Sequence, residues 1–183
     1  VPLPWQAAFP ELRSYGGYAW YRRSFELAAD ELAGELLLSF GAVDYWCQVF
    51  VNGQLAGEHE GGYTPFTLPI KALARAGEND LAVRVYDPVQ TGRTIPRWPE
   101  RVPAETPGGP PFDADDVPHG KQEWYINIGG IWQDVTLRAV PAVYLDTVHV
   151  AGDLSGQARV KVALAGAPAD GTLTLEIAHE GQA

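Results

Sequence analysis

The chain of 183 residues contains no methionine and a single cysteine, Cys47. One thiol cannot form an internal disulfide, and there is no Cys-x-x-Cys pair to hold a metal. Cysteine usage therefore leaves the compartment open. Basic residues are scarce: 13 Lys plus Arg stand against 23 Asp plus Glu, for a formal charge of −10. Without a Lys/Arg cluster the chain is a poor partner for nucleic acid, because phosphate neutralisation supplies most of that affinity. The same deficit argues against anionic lipid. No apolar run approaches the ~20 residues that cross a bilayer as a helix. No basic segment leading into an apolar stretch marks a signal peptide, which leans toward the cytoplasm without fixing the compartment. Phosphate-binding loops, a Gly-x-Ser-x-Gly elbow, heptads and internal repeats are all missing. The four histidines, His59, His119, His149 and His179, lack metal-ligand spacing.

Hydrophobic residues make up 46% of the chain, a globular composition with room for one domain and part of another. The pattern reads as strands almost throughout. Tyr18 to Leu27, Glu35 to Phe40 and Asn79 to Tyr86 suit strands, the last with Leu81, Val83 and Val85 inward. Val43 to Val51 reads as one strand, with Tyr45, Cys47 and Val49 on its apolar side and Asp44 and Gln48 on the other. Cys47 is then a buried, inert thiol. Asn52-Gly53 follows at once, the strongest short hairpin signal, and Gln54 to Glu58 is the return strand. Lys71 to Arg75 suits one helical turn. Asp87 to Gly120 is too rich in proline and glycine for regular structure, and a loop of that length is usually functional or disordered. After Pro141, three alternating segments, Val143 to Val150, Gln157 to Leu164 and Thr172 to Ala178, suit a second sandwich. Such a sandwich needs about seven strands, so this one is expected to be truncated.

Six segments in order carry a family resemblance: Val1-Pro2-Leu3-Pro4-Trp5-Gln6, Ala19 to Phe25, Phe50-Val51-Asn52-Gly53, His59 to Phe66, Glu78 to Val85, and Gly129-Gly130-Ile131-Trp132-Gln133-Asp134-Val135. Together they resemble the N-terminal sugar-binding domain of glycoside hydrolase family 2, which includes β-galactosidases, β-glucuronidases and β-mannosidases. The resemblance implies an all-β fold: a galactose-binding-like jelly-roll sandwich over 1–140, then the first strands of an immunoglobulin-like sandwich over 141–183. In the family a (β/α)₈ barrel follows and carries both catalytic glutamates, and an opening strand precedes the Val-Pro-x-x-Trp segment. Neither is present here, so both ends are expected to be cut from a longer parent. No catalytic residue and no cofactor are then expected in this chain. The implied partners are β-glycosides and the parent's catalytic barrel, in a parent for which homo-oligomerisation is one option.

The candidate site residues follow from chemistry and from that resemblance. An indole offers an apolar face to a sugar's C–H face and an N–H to a hydroxyl. Trp98, within the proline-rich loop, and Trp124, at its exit, are the better sugar-contact candidates; Trp20 and Trp132 read as core or inter-domain packing. In the family an aspartate six residues before the Gly-Ile-aromatic glycine contacts the terminal sugar. That position here is Trp124, and Glu123 could take the role after a one-residue slip. Gln122, Glu123, Trp124 and Tyr125 therefore join Trp98 as candidates. Asp113, Asp115 and Asp116 form a weak calcium candidate, without the glycine or distal glutamate of an EF-hand, and a solvated acidic loop explains them as well. Of the adjacent Arg22 and Arg23, one is expected to pair with a carboxylate and one to meet solvent or a neighbouring domain, since they point to opposite faces of a strand. Three functions remain: a non-catalytic accessory domain of a family 2 glycosidase, an autonomous carbohydrate-binding module, and catalysis by this chain alone.

Overall fold

A computed structural model describes residues 2–88, 109, 117–118, 127–166 and 170–176. It divides into two compact units, Val1–Ala139 and Val140–Ala183. The first opens with a short helix, α1 (Trp5–Ala8), and among the described residues carries nine strands: β1 (Gly17–Leu27), β2 (Glu35–Phe40), β3 (Val43–Asp44), β4 (Trp46–Val51), β5 (Gln54–Glu60), β6 (Phe66–Pro69), β7 (Gly77–Asp87), β8 (Gly130–Ile131) and β9 (Val135–Val140).

One sheet runs β1-β7-β4-β5, and a second runs β6-β2-β9. β3 and β8 pair separately, Val43 opposite Ile131 and Asp44 opposite Gly130. Period-two alternation places Val83 and Val85 of β7 with Cys47, Val49 and Val51 of β4 against Leu36, Leu38 and Phe40 of β2, all in one core cluster. The expected Val43–Val51 strand is broken at Tyr45, because Asp44 and Trp46 pair with different partners, β8 and β5. The Asn52-Gly53 turn forms as expected, with φ of 52° and 78°, the double positive pair of a type I′ turn.

β5 and β6 close one side of the sandwich, where the missing side chain of Gly57 makes room for Leu68. On the other side β1 and β9 are both edge strands. Between them lies a cleft of about 770 Å³, lined by Phe25, Leu38, Phe40, Val83, Ile131 and Leu137, with Pro2 and Arg23 also on its wall. Arg22, which also borders the cleft, pairs with Asp80 at 3.4 Å, the carboxylate pairing expected of one member of that adjacent arginine pair.

The second unit contains β10 (Val143–Gly152) and β11 (Ala158–Gly166), an antiparallel pair with a bulge between Leu145 and Thr147. Residues 172–176, read from the sequence as the start of a third strand, are exposed and form none. Among the described residues of this unit the two strands offer one face without a second layer, and Leu145, Val148, Val150 and Leu164 are exposed.

Candidate functional site

Most of the segments that carry the resemblance converge on one end of the first unit, and their small residues explain why. Trp5 of α1 is buried; its N–H donates to the Gly129 carbonyl at 3.1 Å, and its indole Nε1 to the Tyr15 carbonyl at 3.2 Å. Gln6 Oε1 accepts the Gly129 N–H at 2.8 Å. A side chain on Gly129 would strike Asp87 and Trp5, and one on Gly130, at φ 97°, would strike the Tyr21 hydroxyl. The Gly-Gly pair is thus a packing requirement as well as a turn.

The 61–64 turn meets the same end. Gly61 N–H donates to the Tyr45 carbonyl at 2.9 Å, and the Gly62 carbonyl accepts the Trp132 Nε1–H at 2.8 Å. Tyr63, 66% exposed, lies edge-on to Trp132 with ring centroids 5.5 Å apart. His59 bonds Thr64 Oγ1 at 3.0 Å and stacks on Phe66 at 4.1 Å, a structural role. Trp132 is half-buried and anchored at the rim. Trp20 does not pack into the core: it is 57% exposed on the outer sheet face, beside Phe50.

Two carboxyls sit behind this rim. Asp87, the last residue of β7, is 1% exposed and accepts a hydrogen bond from Asn127 Nδ2 at 2.7 Å. Asp44 is 7% exposed, against the sequence expectation of a residue facing away from the apolar side, because β3 turns it onto Gly62. Among the described residues its carboxyl accepts no hydrogen bond. Burial raises the Asp44 carboxyl to about 7. Burial, and next the Asp44 charge, hold Asp87 well above the usual carboxylate range, while the Asn127 bond pulls the other way. Burial and then both carboxylates also raise the Tyr63 phenol. The arrangement can accept hydroxyl protons or a cation behind an aromatic edge.

Trp98, Gln122, Glu123, Trp124 and Tyr125, and also Asp113, Asp115 and Asp116, lie outside the described residues. Asp87 and Asn127, which flank the stretch bearing them, are bonded at this end. Sequence reasoning missed Asp44 and Asp87. Their signal was an acidic residue inside or at the close of an apolar run, Val43–Val51 and Leu81–Tyr86.

Residues 1–141 match the model of the glycosyl hydrolases family 2 sugar binding domain. The chain belongs to glycosyl hydrolase family 2. Among curated relatives of this family 2 chain, it is 30% identical over 134 residues to a putative β-glucuronidase of Formosa agariphila, covering 72% of this chain and 13% of that one. It is 28% identical over 141 residues to a β-galactosidase of Thermoanaerobacter pseudethanolicus, covering 76% and 16%. Among solved structures, a β-glucuronidase of Ruminococcus gnavus shares its fold with TM-score 0.67 at 23% identity, over 91% of this chain and 28% of that one. A family 2 β-galacturonidase of Eisenbergiella tayi matches with TM-score 0.61 at 25% identity, over 90% and 24%. The chain thus spans between about a tenth and about a quarter of the length of the curated relatives it matches. The all-β sandwich expected from the sequence is the fold of this family 2 domain.

Proposed function

We propose that this family 2 domain is the non-catalytic accessory part of an enzyme that hydrolyses β-glycosidic bonds, a β-glucuronide or β-galactoside being the leading substrates. Its partners are then the sugar and the catalytic barrel of the parent. The observation that carries the reading is the end cluster: an exposed Tyr63 edge and an anchored Trp132 in front of two buried carboxyls, Asp44 and Asp87. Carboxylates accept hydroxyl hydrogen bonds and aromatic edges pack on sugar C–H groups, so this end is suited to face a sugar and unsuited to cleave one alone. Retaining hydrolysis needs one carboxyl as acid and a second as nucleophile about 5–5.5 Å away, both reaching the glycosidic bond. Asp44 and Asp87 are walled by the main chain of Gly62 and Gly129.

Within this reading Trp98, Gln122, Glu123, Trp124 and Tyr125 supply further sugar contacts from the stretch whose flanks meet at Asp87 and Asn127. Residues 141–183 open an immunoglobulin-like sandwich. The test is direct. The purified chain, incubated with chromogenic β-glucuronides, β-galactosides and β-mannosides, is expected to release no chromophore. Titration with glucuronic acid, galactose and mannose, followed by Trp fluorescence, is expected to give at most a weak change. Hydrolysis would overturn the non-catalytic reading. Saturable, sugar-specific quenching would replace it with an autonomous carbohydrate-binding module.

A further inference from the structure

The β1-β7-β4-β5 sheet has an outer face, turned away from the core, with chemistry that the end cluster does not use. Val83 and Val85 of β7 and Val49 of β4 point into the core, so the residues between them point out. Register aligns that outer side: Arg22 of β1 stands opposite Ala82 of β7, and Ala82 opposite Phe50 of β4. Trp20 lies two residues before Arg22, and alternate residues of a strand share a side. An indole is ordinarily well buried, yet Trp20 is 57% exposed. Phe50 supports it from one side, with ring centroids 5.9 Å apart and planes 34° from each other. Ala82, small between Arg22 and Phe50, leaves a shallow trough beside the indole.

Arg22 supplies the charge. Its side chain is 74% exposed and meets Asp80 through one guanidinium nitrogen at 3.4 Å, a long single contact. An exposed pair of that geometry contributes little, and a guanidinium is a planar fork of several N–H donors. Most of the fork is therefore open to a carboxylate that binds it in bidentate fashion. Arg84, directly opposite Trp20, is already flanked by the rings of Tyr18 and Trp46 at 5.3 and 5.4 Å.

We propose that Trp20 and Arg22 form a second, surface site for an acidic oligosaccharide, the indole stacking on a uronate ring and the guanidinium binding its carboxylate. Two residues along a strand span about 7 Å, a reach that a pyranose ring and its carboxylate bridge with one hydrogen bond. The occupant is a sugar because the platform belongs to a sugar binding domain and joins the two groups a uronate needs, an apolar surface for its C–H side and a cation for its charge. A neutral glycan has no use for the cation, and a bare phosphate has none for the indole. The site uses no residue of the sugar-facing end. A free uronic acid meets one ring and one charge, so its signal stays weak; a chain offers the pair along its length at high local concentration.

Isothermal titration calorimetry of the purified chain tests this with β-linked oligomannuronate and with neutral manno-oligosaccharide of equal length, which differ only in the carboxylate on each ring. The expected result is saturable binding of the acidic oligomer, roughly tenfold or more tighter than the neutral one, the scale of a charge-assisted hydrogen bond. Added salt is expected to weaken it. Trp20→Ala is expected to abolish binding, and Arg22→Gln to lower the acidic oligomer's affinity to that of the neutral one. Both side chains are exposed, and circular dichroism checks that each variant folds. Absence of saturable binding, or equal affinity for the two oligomers, overturns the proposal. Binding that survives Trp20→Ala also overturns it, while leaving the sugar-facing end standing. So does self-association of the chain that Trp20→Ala abolishes, which makes this face an interface between copies.

Discussion

Asp44 makes stability depend on pH in an unusual direction. Its carboxyl is raised to about 7 in the folded chain, against 3.8 ordinarily, so between those values the native state binds more protons than the unfolded state. Stability is then fully present below about pH 4 and falls as pH rises toward 7. Asp87 shifts in the same direction, mainly through burial. The loss amounts to a few kcal/mol, on the scale of about 1.4 kcal/mol per unit. Asp44→Asn is expected to raise the unfolding temperature at pH 8 and to flatten the slope between pH 4 and 7; thermal melts across that range check both. A lower melting temperature for Asp44→Asn at pH 8 would show that the carboxylate has a partner. Cys47 offers a second residue-scale check. Burial first, and the Glu58 charge after it, push the thiol up to about 12. Native protein is expected to resist iodoacetamide at pH 8 and to react once unfolded. The burial of Cys47 was legible from alternation along Val43–Val51, whereas the burial of Asp44 was not. Period two assigns a side of a strand, and only the switch of pairing partner at Tyr45 turns the outward side into an interior one.

Among the elements, the β4–β5 hairpin and the start of β7 are locked by one amide network. Asn79, 1% exposed, accepts from Arg75 N–H and Asn52 Nδ2 at 2.9 Å each and donates to the Arg75 and Gly77 carbonyls at 2.7 and 2.9 Å. Asn52 in turn accepts the Asp80 N–H at 3.0 Å and donates to the Leu73 carbonyl at 2.9 Å. Asn79→Ala would leave several buried donors and acceptors unpaired, so a loss of roughly 3 kcal/mol is expected, read as a lower denaturant midpoint with unchanged slope. The hairpin was readable from Asn52-Gly53 because that dipeptide has a local backbone reason. The network was not, because Asn79 looks like an ordinary turn residue until β7 and the hairpin are brought side by side. In the same way β1, β2 and β7 followed from alternation, while the short β3–β8 pair depends on contacts more than 80 positions apart and has no local signature.

At the scale of the whole molecule, the first unit has one closed side and one open one. The cleft between β1 and β9 exposes an apolar wall next to two strand edges without a partner among the described residues, a combination that attracts other surfaces. The chain is expected to enhance the emission of 8-anilinonaphthalene-1-sulfonate without denaturant, and Leu137→Lys, on the cleft wall, to reduce it; unchanged emission would mean the cleft is closed in solution. The overall architecture was legible because six ordered segments each carry a packing reason, such as the Gly129-Gly130 seat for Trp5 and Tyr21. The open side was not, because an edge is defined by what a strand fails to pair with, and no pattern within β1 or β9 records it. The Asp87–Asn127 bond has a consequence of its own. It joins positions 40 apart and makes the two flanks of the intervening stretch neighbours. Closing a loop costs only about 0.6 kcal/mol more for each doubling of its length. The strands thus fix the spacing of the two flanks whatever the length of sequence between them.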